Sequence, residues 1–349
     1  MSNVLHINGH SVGPKTPPFV IAELSGNHNG QLGNALRLVE AAAEAGADAI
    51  KLQTYTADTI TLDHDGPEFQ ITEGLWKGRS LYELYDEAHT PLDWHAPLFE
   101  RARKLDIVAF SSPFDPSAVD FLESLNPPVY KVASFELIDI PLVKYIAATG
   151  RPMIMSTGMA NRDEIEEAIT AARAAGAREI ALLHCTSGYP TPPEEANLAT
   201  ISDLATTFGV VIGLSDHTLG NAVSVAAVSL GASLVEKHLT LSRADGGPDA
   251  AFSLEPDEFK LLVDDCRTAW RARGNVNYQQ TASEQGNVRF RRSLYVVADI
   301  GEGEPFTREN VRSIRPGYGL APKHLDGVLD RRASRNLTRG TALNWEMVV

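Results

Sequence analysis

The chain has 349 residues, 43% of them hydrophobic, and a formal net charge of −14, an excess of carboxylates that excludes nucleic acid and anionic membranes as partners and requires any anionic substrate to be met by a local cationic pocket. Two cysteines, Cys185 and Cys266, cannot make a disulfide framework, and the length suits one barrel of about 250 residues with an appendage. The opening residues lack the basic and apolar regions of a signal peptide, and no apolar run approaches the roughly 18 residues of a membrane span, so a cytoplasmic protein is expected.

Residues 4–12 alternate around Asn8-Gly9, a type I′ hairpin signal. From residue 19 a pattern recurs: a short apolar run, a polar cluster, then a helical segment. The runs cover 19–24, 49–55, 107–114, 129–135, 153–159, 180–187, 211–217 and 234–241. Helical segments rich in Ala and Glu, such as 34–45 and 163–175, are followed by Gly46 and Gly176. Strands alternating with helices imply a parallel sheet, and eight such units close a barrel. The alternative, an open doubly wound sheet, calls for a GxGxxG turn after the first strand, which is absent. The expected fold is α/β, a (β/α)8 TIM barrel.

In such a barrel the C-terminal strand ends carry the chemistry. Here they read Glu23 with Asn27, His28 and Asn29; Lys51, Gln53 and Thr54; Ser111 and Ser112; Lys131 and Ser134; Ser156 and Thr157; His184, Thr186, Ser187 and Tyr189; Ser215, Asp216 and His217; Glu236, Lys237 and His238. A polar group buried without a partner costs about 1–3 kcal/mol. Solvated strand ends explain one or two such clusters but not eight, so the rim reads as an active site.

Residues 211–241 form one strand–helix–strand unit whose helix stops at Gly231. Parallel strands so joined lie side by side, which places His217 and His238 at neighbouring ends, each beside a carboxylate and within reach of one divalent ion. The alternative is a pair of hydrogen-bonded caps. Two imidazoles completed by water and oxygen suit Mn²⁺, Fe²⁺, Co²⁺ or Zn²⁺ better than Mg²⁺ alone, and leave a position for a substrate carbonyl. Lys51 and Lys131, among Ser112, Ser134 and Ser156, suit a phosphate or carboxylate dianion; salt bridges to neighbouring strand-end carboxylates are the other reading. Glu23 and Glu236 are candidates for proton transfer or water activation. An anion pocket facing a carbonyl activator suggests condensation of an anionic enol with an aldehyde.

The excursion 56–95 is long enough to be a functional loop, although its aromatics Trp76, Tyr82, Tyr85 and Trp94 could equally form a satellite core. The expected domains are a barrel over 1–273, a linker over 274–288 rich in Asn, Gln, Ser and Gly, and a basic, turn-rich domain over 289–349.

Nearly end to end, the chain resembles the sialic acid synthase family, through IAELSGNHNG, ADAIKLQTY, FSSPFD, YKVASFE, STGM, LLHCTSGYPTP, GLSDHT, VEKHLTL, GGPDAAFSLEP and the tail segments RRSLYVV and IRPGYG. The resemblance implies a TIM barrel joined to an antifreeze-like SAF domain in a domain-swapped homodimer, and a transferase that condenses phosphoenolpyruvate with an acylamino sugar. LYELYDEAHTPLDWH and DGGPDAAFSLEP resemble the pseudaminic acid branch, which implies 2,4-diacetamido-2,4,6-trideoxy-L-altrose as the sugar; the legionaminic and N-acetylneuraminic precursors are the alternatives. By motif position, Lys51, Ser112, Lys131, Ser134, Ser156, Ser187 and Ser215 look like the phosphoenolpyruvate contacts, Ser187 standing where the sialic branch has Asn. His217 and His238 match the ligands of a divalent ion, Mn²⁺ first, with Mg²⁺ or Co²⁺ as substitutes. Glu23 resembles the residue that handles water and protons. Glu236, Tyr189 and Asp249 resemble sugar contacts, and Arg315 the arginine that reaches an N-acetyl group across the dimer. Outside this chemistry stand a metal-dependent pyruvate aldolase, which would release no phosphate, and a sugar-binding module without turnover.

Overall fold

Asn8 and Gly9 take φ of 46° and 86°, the two left-handed positions a type I′ turn demands, and join β1 (Leu5–Ile7) to β2 (His10–Val12) as an antiparallel ribbon. The structure, a computed structural model, describes residues 4–349. By its internal contacts the chain divides into two compact units, Met1–Gly274 and Asn275–Val349.

The first unit continues with eight parallel strands, β3 (Phe19–Glu23), β4 (Ala49–Thr54), β5 (Val108–Pro113), β6 (Tyr130–Val132), β7 (Met153–Ser156), β8 (Ile180–Cys185), β9 (Val211–Asp216) and β10 (Leu234–His238). β10 pairs with both β9 and β3, so the sheet closes into a barrel and the open doubly wound alternative is eliminated. Strand pleating sends alternate residues to opposite faces. Phe19, Ile21, Phe110, Ile154, Leu183 and Leu234 fill the barrel, and Leu5, Ile7 and Val12 of the hairpin join the same cluster. The ribbon is therefore a stopper at the N-terminal mouth, each large apolar side chain contributing about 1.5–3 kcal/mol on burial. The interior is filled tightly enough to demand glycine at one point: a Cβ on Gly213 would stand 2.6 Å from Leu183 Cδ2 and from the Leu234 carbonyl.

On the outer face Val20, Ala22, Ile50 and Val235 share a cluster with Leu38 and Val39 of the helix Leu32–Glu44 and with Phe259 and Leu262 of the helix Pro256–Arg273. The helix Arg162–Ala174 opens on a capping box between Asn161 and Glu164. The excursion is a built wall rather than open loop. It holds the helices Ala57–Ile60 and Leu81–Ala88, and Ser80 Oγ caps the second by accepting from Glu83 N. Among the described residues no helix is long and apolar enough to cross a membrane.

The second unit is built on β11 (Ser293–Val296) paired antiparallel with β12 (Val311–Ile314). Its core gathers Leu294, Val296, Phe306, Val311, Val328 and Leu343. The stretch expected as a linker is largely exposed and includes the short helix Ala282–Gln285.

Candidate active site

Above the apolar layers the inner face of the barrel turns polar. Lys51 Nζ lies 2.9 Å from Glu23 Oε2 and 3.0 Å from Glu236 Oε1, and Lys131 Nζ lies 3.6 Å from that same Glu236 oxygen. Ser215 Oγ donates to Glu236 Oε1 at 3.1 Å, while Ser25 N and Gln53 Nε2 both donate to Glu23 Oε1 at 3.0 Å. The strand-end salt bridges considered for the two lysines thus exist, and they gather both ammonium groups at one spot. Around them Ser112 Oγ, Ser156 Oγ and Glu236 Oε2 are buried with no hydrogen-bond partner among the described residues. Ser134 Oγ accepts from Gly158 N at 3.2 Å, and a Cβ on Gly158 would collide with the hydroxyls of both Ser134 and Ser187. The seven expected anion contacts therefore converge on one end of the barrel.

Burial opposes charge on every group here, and the partners decide the outcome. Lys131 loses that contest: burial lowers its pKa to about 8, with Glu236 offsetting only part. Burial also opposes the charge of Lys51, yet Glu23 and Glu236 outweigh it and raise its pKa. Glu236 is held at about 2, the two lysines overcoming its burial. Glu23 moves the other way, raised by burial despite Lys51.

His217 and His238 stand beside this cluster with ring centroids 5.4 Å apart. His217 Nδ1 lies 3.0 Å from the Thr186 carbonyl, which can only accept, so Nδ1 donates and Nε2 is left to face a ligand. His238 is kept well below its ordinary pKa by burial, reinforced by His217 and Lys51, and is therefore neutral, the state a ligand must have. Its Nδ1 lies 3.3 Å from Ser25 Oγ and 3.8 Å from Asp249 Oδ2. Burial raises the pKa of Asp249 to about 6. Two adjacent imidazoles fit part of the ligand set of a divalent ion. Among the described residues no group of three or more His, Cys, Asp or Glu converges on one point, so the two imidazoles would leave further positions to other ligands.

One expected neighbour is corrected. Asp216 does not face His217: it lies on the outer face, where its carboxylate accepts from Lys237 Nζ at 2.8 Å and from Ser224 Oγ at 2.6 Å. The same alternation takes other strand-end residues away from the rim. Thr54 Oγ1 is 2.8 Å from His95 Nε2 and 2.6 Å from Ser111 Oγ, and His184 Nε2 donates to the Ala196 carbonyl. In the turns that follow β3, outside the strand pleat, His28 accepts from Gly30 N, and burial lowers its pKa to about 4. These are structural positions.

A cavity of about 330 Å³ opens beside His238, lined in part by Gln53, Trp76, Glu136, Tyr189, His238 and Asp249. Tyr189 packs 4.5 Å from the His217 ring and 5.7 Å from Trp76, whose Nε1 donates to the Pro248 carbonyl. Trp76 and Tyr85 of the excursion thus wall the cavity, whereas Trp94 packs edge-on against His28 and joins the main cluster between the barrel and its helices. Arg315 stands in the second unit, exposed just after β12.

Several neighbours were not singled out by their residue type. Cys185 Sγ lies 3.8 Å from His217 Nδ1, Ser25 joins the strand-end Gln53 in holding Glu23, and Glu136 lines the cavity with Oε2 unpartnered among the described residues. Cys185 could have been found from the pleat, since Leu183 and Cys185 fall on the same inner face.

Residues 38–278 match the NeuB family. The chain belongs to the NeuB family. Residues 291–349 match the SAF domain. The chain is 45% identical to the pseudaminic acid synthase of Campylobacter jejuni over 93% of this chain and 95% of that one. It is 38% identical to the N,N'-diacetyllegionaminic acid synthase of the same organism, over 91% of this chain and 96% of that one. The crystal structure of N-acetylneuraminic acid synthetase from Leptospira borgpetersenii superposes with a TM-score of 0.74 at 32% identity, covering 82% of this chain and 96% of that chain. A family of barrel synthases with an appended SAF domain accounts for both units.

Proposed function

We propose that the chain is a pseudaminic acid synthase, condensing phosphoenolpyruvate with the open-chain form of 2,4-diacetamido-2,4,6-trideoxy-L-altrose and water to give pseudaminic acid and phosphate. One observation carries the reading: a buried cluster of two lysines and unpartnered hydroxyls shares a barrel mouth with two adjacent imidazoles. The higher identity to the pseudaminic than to the legionaminic relative supports the choice of sugar.

Lys51, Lys131 and the hydroxyls of Ser112, Ser134, Ser156, Ser187 and Ser215 would hold the phosphoenolpyruvate anion. The pKa directions suit this task. Glu236 stays ionised while Glu23 is the carboxyl that more readily takes up a proton, so the lysine pair retains net positive charge toward an arriving anion. His217 and His238 would hold a divalent ion, Mn²⁺ first, which supplies Lewis-acid polarisation of the sugar aldehyde. Tyr189, Asp249 and Glu236 would orient the sugar in the cavity so that the enol C3 meets its aldehyde carbon. Water adds at C2, steered by Glu23, and the tetrahedral product loses phosphate by C–O cleavage. Arg315 is assigned to a sugar N-acetyl group, and a domain-swapped homodimer to the assembly, on the IRPGYG motif and the family resemblance.

The test is phosphate release from phosphoenolpyruvate with Mn²⁺, comparing the altrose sugar with N-acetylmannosamine and the legionaminic precursor. Release with the altrose sugar alone, abolished by chelator, is expected. Release with another sugar would move the branch and keep the chemistry. No release with any sugar would overturn the reading. Arg315→Ala should raise KM for the sugar more than for phosphoenolpyruvate, and equal effects would count against its assignment.

A further inference from the structure

The two imidazoles are each preceded in sequence by a charged residue, Asp216 before His217 and Lys237 before His238, and these two face away from the site. Asp216 and Lys237 are direct cross-strand partners in the β9–β10 ladder. Their side chains are 1% and 0% exposed, and the ammonium meets Asp216 Oδ2 at 2.8 Å. The ammonium also donates to the Thr218 carbonyl at 2.5 Å. Asp216 Oδ1 accepts from Thr218 N at 2.9 Å and from Thr218 Oγ1 at 2.8 Å, and Ser224 Oγ donates to Oδ2. The backbone on both sides of His217 is thereby tied to the residue that precedes His238.

An ion pair this deep gives little net stability, because desolvation consumes most of the attraction. A hydrophobic pair would serve packing as well. What the ion pair adds is directional: it fixes the separation of two neighbouring strand ends and the turn that leaves one of them.

We propose that Asp216 and Lys237 are positioning residues, whose ion pair on the outside of the barrel sets the spacing of His217 and His238 on the inside. The proposal rests on the reading of those imidazoles as a divalent-ion site. Outer contacts that orient ligands typically control about 10–100-fold of metal affinity.

The test is the double variant Asp216→Asn with Lys237→Met, which removes both charges and leaves an oxygen to accept from Thr218. Mn²⁺ binding is titrated calorimetrically in wild type, in the double variant and in His217→Ala. The Cε1–H resonances of both histidines are followed in metal-free protein. Expected are a folded variant with about 10-fold or weaker Mn²⁺ binding, displaced histidine resonances, and a lowered kcat at an unchanged KM for phosphoenolpyruvate. Mn²⁺ affinity and histidine resonances at wild-type values, with only the melting temperature moved, would overturn the proposal. Wild type that binds no Mn²⁺, or binds it as well as His217→Ala does, would instead sink the metal-site reading; the proposal that rests on it falls too. Should the double variant fail to fold, Ser224→Ala removes a single hydrogen bond to Asp216. It should weaken Mn²⁺ about two- to five-fold, and an unchanged affinity there would count against the proposal.

Discussion

The inner and outer faces of the same strand ends carry similar residues and do opposite things. On the outer face each polar side chain is matched: Thr54 with His95 and Ser111, His184 with the Ala196 carbonyl, Asp216 with Lys237, Thr218 and Ser224. On the inner face Ser112 Oγ, Ser156 Oγ and Glu236 Oε2 are equally buried yet unmatched among the described residues. A fold tolerates a polar group it has satisfied, whereas leaving one unsatisfied costs about 1–3 kcal/mol. The inner face bears that cost at several positions within one cluster, which marks it as a surface prepared for a ligand. Polarity at a strand end is therefore a weak sign of function, and unsatisfied polarity a strong one.

The comparison breaks most visibly at the imidazoles. His217→Ala and His238→Ala should each lower turnover by at least about 10²–10³-fold, the scale of one lost transition-state contact, with little change in melting temperature. Phosphate release and thermal unfolding together check this, and near-wild-type turnover that also survives chelation would remove both histidines from the site. Next in size is Glu23→Gln, which keeps the acceptor for Ser25 N but cannot exchange a proton, and should cost about 10²-fold in kcat. A change confined to KM would reassign Glu23 to binding.

The hydroxyls sharpen the contrast directly. Ser112→Ala and Ser156→Ala should each raise KM for phosphoenolpyruvate about 3–10-fold and leave stability level or slightly improved, since each removes a polar atom without a partner. Thr54→Val on the outer face should do the reverse. It leaves His95 Nε2 without the hydroxyl at 2.8 Å and should lower stability by about 1–3 kcal/mol with kinetics unchanged. Matching effects from the inner and outer substitutions would erase the distinction.

The barrel was legible because its signal is periodic: eight apolar runs spaced by helices map onto β3–β10, and the Asn8-Gly9 turn onto the ribbon. The candidate site was legible as a cluster to the extent that residue type implies chemistry, so Lys51, Lys131, His217 and His238 stood out, and the barrel brings them to one end. What residue type conceals is the face. Asp216 read as a carboxylate beside His217 at the rim, and only the pleat assigns it to the outer face with Lys237. Cys185, Ser25 and Glu136 carried no chemical signature in one dimension, because a thiol, a hydroxyl and a loop carboxylate acquire meaning only through what they touch. The ribbon's part as a stopper was likewise invisible, since Leu5, Ile7 and Val12 meet the barrel core only after it closes.

The two lysines allow the comparison to be drawn within the inner face itself. Lys51, paired with two carboxylates, keeps its proton, whereas Lys131, with Glu236 at 3.6 Å, has its pKa lowered to about 8. If Lys131 holds phosphoenolpyruvate as proposed, the free enzyme loses that attracting charge above pH 8, and kcat/KM for phosphoenolpyruvate should fall a few-fold as pH rises through that value. Stability should run the other way. Between about 8 and the ordinary 10.5 the unfolded chain binds a proton on this lysine that the folded chain has released, so Lys131 makes the folded state more stable as pH increases. Lys131→Met should remove both trends, flattening the alkaline limb of kcat/KM at a lower plateau and cancelling this rise in melting temperature. An alkaline limb that persists unchanged in that variant would transfer the titration to another group and leave Lys131 charged throughout.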